Sequence, residues 1–161
     1  MKALVAILMG SDSDAGSLKS CGEVLKMLNI PYVAKVLSAH RTPKDTVKFV
    51  ESAAKKGFRV LICAAGGAAH LAGVVAAHTE LPVIGIPVET SSLKGLDSLL
   101  STVQMPAGTP VATVAVGPGG VRNAAFLAAR ILALSDKKLQ SALAQYKETS
   151  RKKVLQKKVE L

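Results

Sequence analysis

The sequence contains no tryptophan, and aromatic residues make up only 3% of its 161 residues. Few large rings are available to fill a core, which must therefore be built from Ala, Val, Leu and Ile. Such a mixture is typical of a buried parallel β-sheet covered by closely packed helices. With 49% hydrophobic and 20% charged residues, the composition indicates a globular protein and excludes a disordered one.

Cysteine is also scarce, since only Cys21 and Cys63 are present. Two cysteines are too few for a disulfide framework. Cys63 lies inside an apolar run, which indicates a small core residue in a reducing compartment. No further ligands stand at the spacing of a zinc site, so we expect no bound metal.

Long hydrophobic runs are missing as well. The apolar run at residues 4–9 is too short to span a membrane, and an acidic turn at residues 10–14 follows it at once. A signal peptide would lack this turn. The sequence therefore predicts a soluble, cytoplasmic protein without a membrane partner.

Negative charge is in short supply, because 21 Lys and Arg face 11 Asp and Glu, giving a net charge of +10. Eight of the basic residues lie in residues 135–161. Such a balance favours a phosphorylated partner. A solvated basic helix face is the better interpretation than a nucleic-acid site, because no aromatic side chains interleave the basic ones for stacking.

Short apolar runs alternate with longer amphipathic stretches along the chain. This alternation predicts βαβ units, a parallel sheet of about five strands and right-handed crossovers. The predicted strands are 4–9, 31–37, 60–64, 82–88 and 110–116. The predicted helices are 16–28, 42–57 (with Thr42 as cap and Gly57 as end), 71–78, a short one within 91–104, 123–134 and 136–155. We expect one domain over residues 1–161, with an α/β core at 1–134 and a C-terminal helix at 135–161.

Three predicted turns lie at the carboxyl ends of strands, where ligands bind in such sheets. The first, at residues 10–14, combines a glycine for a tight turn with hydroxyls and helix amides that bind anionic oxygens. Its Asp residues can accept ribose hydroxyls. Ser and Asp are also ordinary helix caps, so a structural role remains open.

The second turn, at residues 38–43, brings His40 and Arg41 to the same edge. Histidine exchanges protons near neutral pH, and arginine clamps a phosphate or a carboxylate. A lone histidine more often has a structural role. For a histidine beside an arginine at a strand end, a functional role and a structural role are about equally good interpretations.

The third turn, at residues 64–70, is built from small residues. Gly66 and Gly67 let the backbone approach a ligand, and the alanines around them form a smooth apolar wall. His70 either bonds a ligand or braces this loop. Neither a dinucleotide-binding nor a P-loop glycine pattern is present, and no nucleophile elbow of an α/β-hydrolase is found.

Taken together, these segments resemble the 5-(carboxyamino)imidazole ribonucleotide mutases of bacterial purine synthesis. The resemblance covers nearly the whole chain. It is carried by Met9-Gly10-Ser11-Asp12-Ser13-Asp14, Ser38-Ala39-His40-Arg41-Thr42-Pro43, Ala65-Gly66-Gly67-Ala68-Ala69-His70-Leu71, Gly95-Leu96-Asp97-Ser98-Leu99 and Val103-Gln104-Met105-Pro106.

This resemblance implies a three-layer, flavodoxin-like (Rossmann-like) domain that assembles as an octamer and uses neither a metal nor an organic cofactor. It implies that Ser11, Asp14 and Arg41 hold the ribonucleotide and that His40 transfers protons. The residues that it places in the pocket lining are Ser13, Ser38, Ala65, Gly66, Gly67, His70 and Leu71. It also suggests functional coupling to an ATP-dependent synthase that makes the substrate, and it assigns the C-terminal helix to assembly.

Related carboxylases take free carbon dioxide and the uncarboxylated aminoimidazole. Their pattern resembles Ser-Ala-His-Lys, whereas this sequence has Arg41, which favours the mutase. Two departures from the usual mutase pattern are Ala72, where many mutases have proline, and the turn at residues 117–122. Both affect loop stiffness more than chemistry.

Two interpretations from other classes remain. A non-catalytic basic module would bind RNA or nucleotides, and its binding would survive the loss of His40. A flavodoxin-like electron carrier is a poorer match, because aromatic partners for a flavin are scarce.

Overall fold

The computed structural model describes residues 2–159. The remaining residues of the predicted domain 1–161, at positions 1, 160 and 161, lie outside the described residues. Along the chain the elements are β1 (Val5–Met9), α1 (Ala15–Met27), β2 (Tyr32–Val36), α2 (Pro43–Lys56), β3 (Val60–Ala65), α3 (Leu71–Ala77), β4 (Val83–Pro87), α4 (Leu96–Val103), β5 (Ala112–Thr113), α5 (Pro118–Ala133) and α6 (Lys137–Leu155).

The five strands form one parallel sheet in the order β2-β1-β3-β4-β5. This is the strand order of flavodoxin-like doubly wound folds. The predicted three-layer α/β class is therefore confirmed.

Alternation along β1 divides the core into two layers. Val5, Ile7 and Met9 face one side of the sheet, where α1 and α5 cover them. Ala6 and Leu8 face the other side, against α2 and α3. Burial of aliphatic side chains at about 25 cal/mol per Å² drives both layers together. In place of aromatic side chains, the core contains the small alanines of α5, which are only 0–5% exposed.

The start of α5 differs from the prediction. The helix begins at Pro118 instead of residue 123, with Gly117 as its N-cap at a φ of 85°. The Gly-Pro-Gly-Gly segment was predicted to be a turn. Proline fits the first turn of a helix, however, because that position needs no amide hydrogen bond. Gly119 and Gly120 then continue the helix.

The fifth strand is shorter than predicted. Only Ala112 and Thr113 pair with β4, instead of residues 110–116. Pro110 has no amide hydrogen for the ladder, and an edge strand can end early at little cost.

The C-terminal helix α6 begins as predicted. The Asp136 carboxylate accepts the amides of Lys138 and Leu139 at 2.9 and 3.1 Å. The ring of Tyr146 packs 4.6 Å from that of Phe126 on α5. The end of α6 is not covered by the rest of the chain, because every residue from position 151 to position 159 is exposed.

Candidate active site

The three predicted turns meet at one edge of the sheet. In the parallel register, Met9 at the end of β1 lies level with Val36 of β2 and Ala64 of β3. Three adjacent strands therefore end together, and the turns that follow them enclose a cleft of about 490 Å³. This volume lies in the range of small-molecule sites. The lining residues are Gly10, Ser11, Asp14, Ser38, Ala39, His40, Arg41, Ala65, Gly66, Ala69, His70 and Leu71.

The cleft gathers nearly all of the residues proposed for the site from sequence. Two of them, Ser13 and Gly67, do not line it. The Ser13 hydroxyl donates to Ser11 Oγ at 2.9 Å, and the Gly67 amide donates to Ser98 Oγ at 2.9 Å. Ser13 therefore supports Ser11, which faces the cleft, and Gly67 ties the third loop to Ser98.

In the first turn, one residue caps a helix and another is left free of capping hydrogen bonds. Ser11 caps the short 3-10 turn at residues 12–14, because its Oγ accepts the Ser13 amide at 3.3 Å. Asp14 lies at the N-cap of α1, yet its side chain makes no capping hydrogen bond. The capping role thus falls to Ser11, and the Asp14 carboxylate stays available at the cleft.

Burial of Asp14 raises the pKa of its carboxyl above the usual 3.8, and the nearby Asp12 adds to this. A hydrogen bond from the Ser11 backbone and the charge of Arg41 act in the opposite direction. Desolvation prevails because a half-buried carboxylate loses part of its hydration.

The second turn is held by hydrogen bonds around Ser38, which is 8% exposed. Ser38 Oγ accepts the Arg41 amide at 3.1 Å. The Thr42 hydroxyl bonds back to the Ser38 amide and carbonyl instead of capping α2. Thr46, fully buried, donates to the Ser38 and Thr42 carbonyls. This network fixes the turn that carries His40.

Arg41 joins the second turn to the first. Its Nη2 donates to the Gly10 carbonyl at 2.6 Å, while the side chain remains exposed at the cleft. The guanidinium has five N–H donors. Those that Gly10 does not use can bind an anionic ligand.

The third loop has an unusual backbone. Gly67 and Ala69 both have positive φ, at 66° and 39°. Glycine tolerates this region, whereas an alanine is strained there. The strain at Ala69 requires support from neighbouring structure.

That support comes from α4, in a role that the sequence analysis missed. Ser98 Oγ accepts the Gly67 amide and donates to the Val88 carbonyl at 2.7 Å. The Ser101 hydroxyl donates to the Ala68 carbonyl. Asp97 accepts the Thr90 hydroxyl at 2.9 Å. The segment Gly95-Leu96-Asp97-Ser98-Leu99 helps to carry the resemblance, but nothing in the one-dimensional pattern indicates that Ser98 reaches the third loop.

The most informative contact joins the two cleft histidines. His40 Nε2 lies 2.7 Å from His70 Nδ1, and the rings meet edge-on with centroids 4.8 Å apart. The sequence proposed both residues for the site but not their pairing, because thirty positions separate them.

Within residues 2–159, no cluster of three or more His, Cys, Asp or Glu side chains could hold a metal ion. The same residues contain no helix that is long and apolar enough to cross a membrane.

Burial raises the pKa of the Cys21 thiol to about 12, and it also raises that of Cys63, so neither thiol is a nucleophile near neutral pH.

The cleft therefore combines groups for anion binding with groups for proton transfer. Arg41 supplies positive charge, Ser11 and Asp14 supply hydroxyl and carboxylate oxygens, and the histidine pair can exchange protons. The third loop adds small side chains and backbone amides. This set fits a small anionic molecule with hydroxyl groups.

Comparison with known proteins extends this picture. The sequence model of a family described as AIR carboxylase matches residues 4–153. The N5-carboxyaminoimidazole ribonucleotide mutase of Bacillus subtilis is 49% identical over 156 residues, which are 97% of this chain and 96% of that protein. The chloroplastic phosphoribosylaminoimidazole carboxylase of Vigna aconitifolia is 49% identical over 152 residues, which are 94% of this chain but 27% of that protein. The crystal structure of Treponema denticola PurE matches with a TM-score of 0.85 at 34% identity, covering 95% of this chain and 94% of that one.

Proposed function

Because the chain belongs to the AIR carboxylase family, we propose that it is an isomerase of purine biosynthesis. Its reaction converts N5-carboxyaminoimidazole ribonucleotide to 5-amino-4-imidazolecarboxylate ribonucleotide. The carboxyl group moves from the exocyclic nitrogen to ring carbon 4, and no atom is gained or lost.

The observation that carries this function is the single cleft in which His40 and Arg41 meet Ser11, Asp14 and the third loop. Carboxyl migration needs a proton donor that later acts as a base, together with a closed, weakly polar space for the released fragment. The cleft offers the histidine for the first need and a wall of small side chains in the third loop for the second. The near full-length similarity to a named mutase supports the same assignment.

Substrate binding follows from the charges. The Arg41 guanidinium pairs with an anionic group of the ribonucleotide, since arginine recognises phosphate and carboxylate with several donors at once. Ser11 donates to the same ligand, and Asp14 accepts from the ribose hydroxyls. Ser38 and the loop from Ala65 to Leu71 line the pocket around the base.

The chemistry proceeds through trapped carbon dioxide. His40 donates a proton to the exocyclic nitrogen, the nitrogen–carboxyl bond breaks, and carbon dioxide and aminoimidazole ribonucleotide are formed. Ring carbon 4 attacks the carbon dioxide, and His40 takes up the proton that carbon 4 loses. The proton count returns to its starting value and no electrons leave the substrate, so the balance requires no redox cofactor.

Retention of carbon dioxide is the larger contribution to the rate. Holding both fragments in one cleft makes recapture effectively unimolecular. The small side chains of the Gly66–His70 loop exclude water from the fragment. The bracing of this loop by Ser98 keeps the wall in place.

The biological context is part of the same proposal. The enzyme works in the cytoplasm, as a homo-octamer whose α6 helices contact neighbouring subunits. Its substrate is supplied by an ATP-dependent synthase that carboxylates the amino group. Lys and Arg side chains on α6 keep the assembly soluble, and nucleic acid is not the partner.

Turnover of N5-carboxyaminoimidazole ribonucleotide tests the proposal directly. Wild type should form the carbon-carboxylated isomer without added metal or bicarbonate, and His40→Asn should lower kcat by about 10²- to 10⁴-fold. His78→Asn is the matched control, because His78 lies outside the cleft beside Glu51 at 3.5 Å. Full activity of His40→Asn would remove His40 from the mechanism.

The second candidate is an aminoimidazole ribonucleotide carboxylase that uses free carbon dioxide. It is supported by the 49% identity to a region that makes up 27% of the Vigna protein, whose name is phosphoribosylaminoimidazole carboxylase, chloroplastic. A substrate labelled with ¹³C at its carboxyl group, turned over in unlabelled bicarbonate, separates the two. A mutase retains the label in the product, whereas a carboxylase loses it to the solvent pool.

A further inference from the structure

The 2.7 Å contact between His40 Nε2 and His70 Nδ1 admits only one proton. A neutral imidazole carries one N–H and one lone pair, and an imidazolium carries two N–H groups. If both rings were protonated, two N–H groups would point at each other across a distance that permits one hydrogen bond. The contact therefore persists in the neutral pair and in the pair with a single positive charge.

Protonation of one ring consequently controls the other. When His40 Nδ1 gives up its proton, His70 keeps its Nε2–H, so in the resulting neutral pair His40 Nε2 donates to His70 Nδ1 and His40 Nδ1 is the base. In the singly charged pair both outer nitrogens carry protons, and the inner proton stays between the rings. The two rings therefore share a single proton across this contact.

The surroundings hold the pair in this arrangement. His70 follows the strained Ala69, in the loop that Ser98 and Ser101 brace. His40 lies in the turn that Ser38 organises. The other charged side chains at the cleft are Asp14 and Arg41, of opposite sign, and the Asp97 carboxylate on α4 accepts the Thr90 hydroxyl.

We propose that His70 is a positioning residue for the reaction: it fixes the tautomer of His40 and shares with it the one proton that the isomerisation uses. This inference rests on the proposed function. The singly charged pair holds three N–H protons and gives one to the exocyclic nitrogen of the substrate, becoming neutral with two. Uptake of the proton from ring carbon 4 restores the third.

Histidine NMR of the ¹⁵N-labelled protein without substrate tests the pairing independently of the activity. In wild type the His40 and His70 signals should change together over one pH range. His70→Phe should leave His40 titrating alone as a mixture of tautomers. His70→Asn should preserve a fixed His40 tautomer, because the asparagine amide occupies the position of Nδ1. Independent titration of the two rings in wild type would overturn the inference.

Kinetics then test the role in catalysis. His70→Phe should lower kcat by about 10-fold or more, with KM within about twofold, and should shift the pH profile of kcat. His70→Asn should recover part of the loss, and His78→Asn should match wild type. An unchanged kcat and pH profile in His70→Phe would contradict the positioning role. If wild type turned over neither candidate substrate, the proposed function would fail while the paired titration could still stand.

Discussion

Asp14 is the residue immediately before α1, a position where a carboxylate ordinarily caps the helix. The Asp14 side chain nevertheless makes no capping hydrogen bond. Its pKa is raised, chiefly by burial, so the folded state disfavours the ionised form. The fold thus tolerates a partly desolvated charge at the cleft. Such a residue is typical of a binding site, where function opposes stability.

The raised pKa gives a pH-dependent prediction for Asp14→Asn. Because the folded pKa lies above the unfolded value near 3.8, ionisation of Asp14 destabilises the fold as the pH rises through that folded pKa. The variant removes this loss. In urea titrations, the free energy of unfolding of the variant relative to that of wild type should therefore increase from pH 4 to pH 7.5. The affinity of the variant for aminoimidazole ribonucleotide should fall.

Glu23→Gln is the matched control for this comparison, since Glu23 lies on the exposed face of α1. Its free energy of unfolding should follow that of wild type over the same pH range. A variant at position 14 that loses stability at pH 7.5 relative to wild type would show that the carboxylate supports the fold instead of opposing it.

Ser98 is the residue on which the third loop depends most. It is 0% exposed, and its hydroxyl satisfies both the Gly67 amide and the Val88 carbonyl. Ser98→Ala leaves these two groups without their partner, which costs about 1–3 kcal/mol for a buried polar group. Urea unfolding should show this loss, and kcat/KM should fall because the wall of the cleft loosens.

Ser141→Ala provides the comparison for Ser98. The Ser141 hydroxyl donates to the Lys137 carbonyl at 3.1 Å on the exposed side of α6. An exposed substitution of this kind changes stability by about 0.5 kcal/mol or less. Equal effects of the two alanine variants would rule out a bracing role for Ser98.

At the start of α5 the helix packs closely against the backbone of the preceding loop. Gly120 lies directly over the Ala115 carbonyl, and a Cβ at this position would overlap that backbone oxygen. Gly119, one residue earlier, has no atom within 4 Å of a Cβ. The two glycines share a helix and a sequence context but differ in the space around them.

Alanine at each position makes this difference measurable. Gly120→Ala should destabilise the fold by about 1–3 kcal/mol, because backbone atoms must shift to admit the methyl group. Gly119→Ala should be neutral or stabilising by up to about 0.5–1 kcal/mol, since alanine has a higher helix propensity than glycine. A reversed order in thermal unfolding would contradict the close approach of Gly120 to the Ala115 carbonyl.

The same elements show how far the sequence alone could reach. Apolar runs bounded by turns predicted β1, β3 and β4 within one residue at each end, because buried parallel strands are nearly continuous in hydrophobicity. They predicted neither the early start of α5 nor the short β5. A helix that opens on Pro-Gly-Gly has turn-like composition, and the length of an edge strand depends on its partner.

The features of the candidate site also fall into those that the sequence could predict and those that it could not. Strand order could be expected to place the turns after β1, β2 and β3 together, so His40, Arg41 and Asp14 were within reach of sequence reasoning. The pairing of His40 with His70 and the bracing by Ser98 were not. Both are contacts between residues about thirty positions apart, and their geometry follows only from the folded loops.

At the scale of the whole molecule, two surfaces remain apolar. Leu96, Leu100 and Val103 recur at spacings of four and three along α4, and Leu93 lies in the turn before it; each is between 47% and 57% exposed. Val154 and Leu155, at the end of α6, are 63% and 68% exposed. Contiguous exposed apolar side chains mark interaction surfaces. Both surfaces support the proposed assembly of identical subunits.

Light scattering with size-exclusion chromatography tests that assembly. Wild type should have a mass eight times that of the 16.6 kDa chain. A Val154→Asp, Leu155→Asp double variant should have a lower mass, because each carboxylate would be desolvated in an interface. Leu96→Asp with Leu100→Asp should act in the same way. Leu134→Asp, at an 84% exposed residue outside both surfaces, should keep the wild-type mass. A monomeric wild type would refute the octamer, and an unchanged mass in the α6 variant would remove that helix from the interface.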